Sequence, residues 1–269
     1  SYLGSISAGG PRRLLRALVR VSTYGGDLEA MSAECALAQL QAALLGGVMY
    51  LDGGWQTIVD GLLARLAALD VTIRTGSKVT TLEGHGPFTL TTTSGALRAR
   101  AVVVTGSPDL TAELVERDGG PLHRFAARAI RVEAACLDTR VPPARAASTG
   151  LVLGLDEPYY VQDHARYARL APEGGGVVHA MRYDDGTDVS GRDVRAELEG
   201  ITRRALGLSQ DTDLDARFMP RLTVHHALVT RELGGFAGRP KATTARAGVF
   251  VAGDWVGDAG LLADASATS

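Results

Sequence analysis

Asp254 stands just past a short apolar run, Val249-Phe250-Val251-Ala252, and Gly253 separates the two. Such a run, flanked by turn signals, reads as a strand buried on both faces. Glycine lets the backbone turn or approach a ligand closely because it has no Cβ. Open α/β sheets place ligands at the carboxyl ends of their strands. A carboxylate there can accept hydrogen bonds from a ribose or ribityl hydroxyl. The same residues also describe a strand that stops in a Gly-Asp turn. A second run, Ala101-Val102-Val103-Val104, closes in Thr105-Gly106-Ser107-Pro108. Here Pro108 is placed to open a helix. Thr105 and Gly106 are either neighbours of the same ligand or an ordinary strand terminus. The expectation is that both runs end side by side, presenting bare main chain and one carboxylate to a single nucleotide.

Other chemistries find less support. Among six histidines only His225 and His226 are adjacent, and no His-Glu-x-x-His occurs. Neighbours on a strand point to opposite faces, so this pair does not share a metal, and no metal site is expected. No Gly-x-Ser-x-Gly elbow and no Gly-x-x-x-x-Gly-Lys-Ser/Thr loop is present. Cys35 and Cys136 match no metal or redox spacing and read as buried, reduced thiols of a cytosolic protein. The formal charge is −2 and basic residues are dispersed among acids, which gives no reason to propose nucleic acid or an acidic membrane. No apolar run reaches the roughly 18 residues of a membrane span, and no export signal is visible. A small-molecule partner and a cytoplasmic location are therefore expected, with the oligomeric state open. Lys78 and Lys241 are the only lysines in an Ala- and Gly-rich chain, a bias that suggests a GC-rich bacterial genome.

The tail Gly253-Asp254-Trp255-Val256-Gly257-Asp258-Ala259-Gly260-Leu261-Leu262-Ala263 resembles the last flavin-contacting segment of FAD-dependent amine oxidases and phytoene-desaturase-like dehydrogenases. In that superfamily a strand ends in Ala-Gly-Asp or Ala-Gly-Glu, and a loop leads to a helix pointing at the flavin. The resemblance implies that Asp254 binds the ribityl chain, with Trp255 beside it. It also implies that main-chain N–H groups near Leu262 and Ala263 face the flavin, using the free donors of a helix start. Gly53-Gly54-Trp55 and the helix after it occupy the place of the family's Gly-Gly pair, which borders the substrate cavity. Trp55 then lines that cavity or belongs to the core. The strand around Val79 would pass the adenine and pair with it through the backbone. Order and spacing make the resemblance specific at residues 47–108 and 247–269.

These residues need particular elements to position them. Helices are expected over 11–21, from Asp27 or Ser32 to about Leu45, after Trp55, and over Asp193–Leu206, with Leu198, Ile201 and Leu206 inward. Arg12, Arg13, Arg16 and Arg20 read as the solvated face of the first helix. Strands are expected at Val48–Leu51, Val71–Thr75 and Lys78–Leu82. A hairpin of Phe88–Thr93 with Ala96–Thr105 would turn at Ser94-Gly95. Further strands are expected at 130–137, 150–155 and 177–183. The fold class is mixed α/β: a partial Rossmann-like FAD- or NAD(P)-binding domain, with an inserted substrate domain on a mostly antiparallel sheet plus helices. Residues 53–110 and 245–269 are assigned to the discontinuous FAD domain, and 1–52 and 111–244 to the substrate domain.

A dinucleotide fold also needs Gly-x-Gly-x-x-Gly to hold the pyrophosphate, and the sequence has none. The chain starts without methionine, so the expectation is the C-terminal portion of a longer protein, inactive alone. The whole would oxidise an amine or a C–C bond with flavin as acceptor. Many amine oxidases place a lysine near the flavin, and neither Lys78 nor Lys241 matches, which mildly favours a desaturase-like dehydrogenase. A non-catalytic flavin-family scaffold and an NAD(P)-binding dehydrogenase are the alternatives, and the catalytic residues are unassigned.

Overall fold

Alternation builds the larger sheet. In β5 (Val132–Val141) buried and half-buried residues alternate along the first half, as a strand covered on two unequal faces requires. β5 pairs antiparallel with β8 (Gly176–Tyr183), and β8 with β7 (Tyr159–Asp163). β7 pairs with the short β6 (Val152–Leu153), and β9 (Ala216–His225) flanks β5 on its other side. One face packs Leu137, Val161, Val178 and Ala180 against Leu198 and Ile201 of helix α6 (Val194–Ala205). Asp193 caps α6 by accepting from the Ala196 N–H at 2.9 Å. The other face packs Ala134, Cys136, Tyr160, Met181 and Tyr183 with Val21 of helix α1 (Gly10–Thr23). The expected helix over Asp193–Leu206 is present, and its three inward residues are buried.

The computed structural model describes residues 9–116, 119–142, 150–172, 175–186 and 193–257. They form two compact units. The first takes residues up to Glu29 with Leu40–Val71 and Glu133–Val224, and so contains the five-stranded sheet. The second takes Ala30–Gln39, Thr72–Val132 and the chain from His225 onward. Helix α2 (Ala33–Gly46) contributes to both, and Ser32 precedes it as expected.

Three local expectations change. Arg20 is buried, because α1 lays that part of its basic face against the protein. Val48–Leu51 and Val71–Thr75 form no strand: β-like composition needs a partner ladder, and none of the described residues supplies one. Helix α3 (Gln56–Ala68) forms as expected but buries none of its residues. Its stripe of Ile58, Val59, Leu62 and Leu63 is exposed, with Leu62 at 60%. Periodicity shows which face favours burial; it does not supply the element that covers it.

The second unit holds two small sheets. β1 (Val79–Glu83), β2 (Phe88–Thr92) and β3 (Gly95–Ala99) form an antiparallel meander. The expected single strand from Ala96 to Thr105 is broken. After β3 the chain leaves the meander at Arg100-Ala101, and β4 (Val102–Val104) pairs elsewhere. Its partner is β10 (Val249–Val251), parallel and in register, with Val102 opposite Val249 and Val104 opposite Val251. Helix α4 (Pro108–Val115) follows β4 directly, with proline in its first turn and Ser107 accepting from the Leu110 N–H. Helix α5 (Pro121–Ala126) adds Leu122 and Phe125 to a core with Phe88, Val249, Val251 and Trp255. Arg246 ties the sheets together by donating to the Leu82 carbonyl at 3.0 Å and to that of Gly84.

Candidate functional site

Pairing β4 with β10 brings the two glycine-closed strand ends together. Ala252 N–H donates to the Val104 carbonyl at 3.0 Å, extending the ladder by one rung. Just beyond, the Trp255 indole Nε1–H donates to the Gly106 carbonyl at 3.1 Å. Thr105, Gly106, Gly253, Asp254 and Trp255 thus share one edge of the second unit. The expected juxtaposition of the two ends is present. The main-chain N–H groups of Gly106, Gly253 and Asp254 donate to nothing among the described residues. A Cβ on Gly253 would lie 2.9 Å from the Trp255 indole nitrogen, so the indole occupies the space a side chain would need.

Trp255 is fully buried and stacks on Phe125 with ring centroids 5.8 Å apart. Its side chain is therefore core, which leaves only its backbone for the contact the resemblance implies. Asp254 is half-buried, and one residue grips it twice. The His226 main-chain N–H donates to Oδ2 at 2.9 Å, and His226 Nδ1 lies 3.1 Å from Oδ1. This partner is 28 residues away in sequence, and no local spacing announced it. Val79 begins β1 in the meander of the same unit, where the register to β2 shifts between Val79 and Thr81. Trp55 belongs to the other unit and is 74% exposed. Leu262 and Ala263 lie outside the described residues. Lys78 and Lys241 are both exposed.

A second constellation, absent from the sequence reading, lies on the α1 face of the large sheet. The register sets Asp138 opposite His179, and their side chains are hydrogen-bonded through Oδ1 and Nδ1. The hydrogen bond from His179 holds the Asp138 carboxyl below its usual range, against the effect of burial. His164 stacks on His179 at 5.4 Å, Tyr50 lies tilted 5.3 Å from His164, and Tyr167 stacks on Tyr50 at 5.1 Å. Burial, then the neighbouring His179, lower the His164 pKa to about 4. Cys136, on the same face, is buried and free, as is Cys35 in the other unit, and burial pushes both thiols up to about 12. Among the described residues no group of His, Cys, Asp and Glu is arranged to hold a metal ion.

The lowered His164 pKa carries a stability consequence. The ring is neutral in the folded protein and takes a proton more readily once unfolded. Its contribution is intact above the ordinary value of 6.5 and is lost as pH falls from there toward about 4. Urea midpoints of the wild type should fall between pH 7 and pH 4.5, and His164→Gln, which cannot titrate, should flatten that slope. Parallel slopes would contradict the assignment.

Comparison with known proteins fits this geometry. The profile of the FAD dependent oxidoreductase family matches residues 4–266. The chain belongs to that family. No curated protein matches it. Among solved structures, it is similar to a cofactor-binding redesign of putrescine oxidase, with TM-score 0.67 and 13% identity over 99% of this chain and 64% of that one. Cyclohexylamine oxidase from Brevibacterium oxydans gives TM-score 0.61 and 15% identity over 97% and 62%. An oxidoreductase from Methanosarcina mazei gives 0.61 and 17% over 80% and 53%. At such identities the likeness shows the fold. The chain spans between 53% and 64% of the length of these three structures.

Proposed function

We propose that this chain supplies the flavin-nucleotide edge and the substrate-binding sheet of an FAD-dependent enzyme that oxidises amines. One observation carries the cofactor half: two parallel strands end side by side at Gly106 and Gly253, where main-chain donors have no partner among the described residues and the Asp254 carboxylate follows. That donor set fits a nucleotide, whose hydroxyls need an acceptor and whose ring edges accept from N–H groups. The cofactor role is assigned to Ala30–Gln39, Thr72–Val132 and the chain from His225, the bounds of the second unit. The substrate role is assigned to the first. FAD, when bound, supplies the electron-pair acceptor.

The choice of an amine rests on the constellation of the large sheet. Asp138 keeps an oxygen beyond the one His179 occupies, and its side chain is 36% exposed. With the carboxyl held below its usual range, it is ionised at neutral pH. Through His179 and His164 the cluster continues to the rings of Tyr50 and Tyr167, and such aromatic faces attract cations. His164 remains neutral and adds no repelling charge. A protonated amine finds there a carboxylate and tyrosine rings in one cluster, with Arg217 the fixed cation whose charge also reaches Asp138. The names of two structural relatives, putrescine oxidase and cyclohexylamine oxidase, point the same way.

The test is anaerobic mixing of the flavin-loaded polypeptide with a monoamine such as cyclohexylamine. Bleaching of the visible flavin band supports the reading. Flavin bound tightly but never bleached by an amine would point to a scaffold, and a nicotinamide spectrum in place of flavin would point to NAD(P). The 269-residue chain has no Gly-x-Gly-x-x-Gly loop, so on its own it should retain flavin weakly. A purified chain that is yellow with stoichiometric flavin would refute that expectation.

A further inference from the structure

We propose that His179 is the base that takes a proton from the substrate ammonium, with Asp138 as the residue that positions it. The inference rests on the amine reading of the large sheet and deepens it. An ionised carboxylate only accepts hydrogen bonds, so the ring nitrogen facing it must carry the proton. That nitrogen is Nδ1 of His179, bonded to Asp138 Oδ1 across the register of β5 and β8. The lone pair of the neutral ring is therefore on Nε2. Nε2 has no hydrogen-bond partner among the described residues and is not sealed from solvent. Two further rings hold the imidazole: His164 stacks on it at 5.4 Å, and Tyr160 lies tilted 5.7 Å away. Nε2 is on the ring edge away from the carboxylate, so the two groups have different tasks. Asp138 fixes the tautomer and balances the charge the ring acquires, and Nε2 meets the substrate nitrogen. The oxygen that Asp138 keeps free adds to the negative field that draws the ammonium in.

The reaction needs such a group. An alkylamine in neutral water is an ammonium, whose nitrogen has no lone pair. That lone pair forms the C=N bond when an electron pair leaves the neighbouring carbon, so proton transfer must come first. The N–H bond of the ammonium breaks, its electron pair stays on nitrogen, and the proton bonds to Nε2. Nothing is oxidised in this step, and the total charge does not change. The new imidazolium is hydrogen-bonded to a carboxylate held below its usual range by that same contact. Burial keeps His164 neutral, so the stacked ring sets no second charge against it. Cys136 on β5 and Tyr160 on β7 also face the pair, and burial raises both and keeps them neutral. Arg217 on β9 is the cation whose charge bears on Asp138. Acid that protonates Nε2 in advance removes the base, so the rate should fall as pH drops.

Nitrogen NMR and stopped-flow bleaching test this together. The wild-type chain should show His179 as the Nδ1–H tautomer at neutral pH, and saturating cyclohexylamine should shift the Nε2 resonance. Asp138→Asn should abolish the tautomer preference. In the flavin-loaded polypeptide, His179→Gln should slow anaerobic bleaching by cyclohexylamine about a hundredfold. The loss should be smaller for a ring-fluorinated cyclohexylamine, whose nitrogen gives up its proton more easily. A residue with a purely structural role would cost both amines equally. The variant should also lose the fall in rate on the acid side of the pH profile. An Nε2–H tautomer in the wild type, or equal losses for the two amines, would overturn the inference. Amine-induced shifts at Tyr50 and Tyr167 without one at His179 would leave amine binding in place and remove the base. If cyclohexylamine shifts no resonance of the chain and bleaches no flavin, the amine reading falls, and the inference falls with it.

Discussion

Trp255→Ala should cost about 3–5 kcal/mol of stability, the range for removing a large buried aromatic. The indole is fully buried, stacks on Phe125 and belongs to the core that includes Val249 and Val251. Its Nε1–H also joins one strand end to the other at Gly106. Truncation therefore opens a cavity and removes the bridge between β4 and β10 together. Trp255→Phe separates the two effects: it keeps most of the ring and loses the bond, for about 1–2 kcal/mol. Urea titration followed by circular dichroism measures both. The other tryptophan, Trp55, is exposed, so the blue-shifted part of the fluorescence should vanish in both variants. A loss under about 1 kcal/mol for the alanine variant would mean that the indole is not seated as described.

The second large effect is steric. A Cβ on Gly238 would lie 1.5 Å from the Leu233 carbonyl oxygen and 2.5 Å from its carbon. Both are backbone atoms, and no side chain can swing aside to make room. Gly238→Ala should cost at least about 3 kcal/mol, the upper end of ordinary overpacking, because the turn must refold. That turn connects His226 to β10: Gly235 N–H donates to the Thr230 carbonyl, and Gly257 N–H to that of Pro240. The variant should therefore lose nucleotide binding along with stability. Gly61→Ala is the control, since a Cβ there meets nothing within 4 Å and alanine favours the helix. Equal midpoints for the two variants would refute the assignment.

The parts legible from sequence were those where neighbours in the chain settle the outcome. Val102–Val104 and Val249–Val251 form strands where the apolar runs predict them and a glycine marks where each stops, but Val103 and Phe250 are exposed, so among the described residues only one face is covered rather than the expected two. Asp193 followed by the Leu198 and Ile201 stripe specified α6. The break between β3 and β4 was hidden because Arg100-Ala101 looks no different from the strands around it, although the chain changes sheets there. β7 escaped because its apolar run is only Tyr159-Tyr160-Val161 before Gln162 and Asp163 close the strand. The pairs His226–Asp254 and Asp138–His179 join residues 28 and 41 positions apart. Only the β9 end and the cross-strand register bring them into contact, and a lone histidine in a sequence carries no sign of such a partner. Arg20 shows the converse, since a residue type that usually stays in water was buried by the packing of its helix.

The parallel pairing has a price in time. β4 cannot find its partner until β10 is synthesised about 145 residues later, which at ribosomal speeds is a wait of roughly 7–30 s. During that interval a valine triplet with unsatisfied peptide groups is presented to the cell, while nearby hairpins such as β2–β3 can already close. Newborn chains should accordingly lean on chaperones until β10 emerges, and slowing translation downstream of β4 should reduce soluble yield more than slowing it upstream.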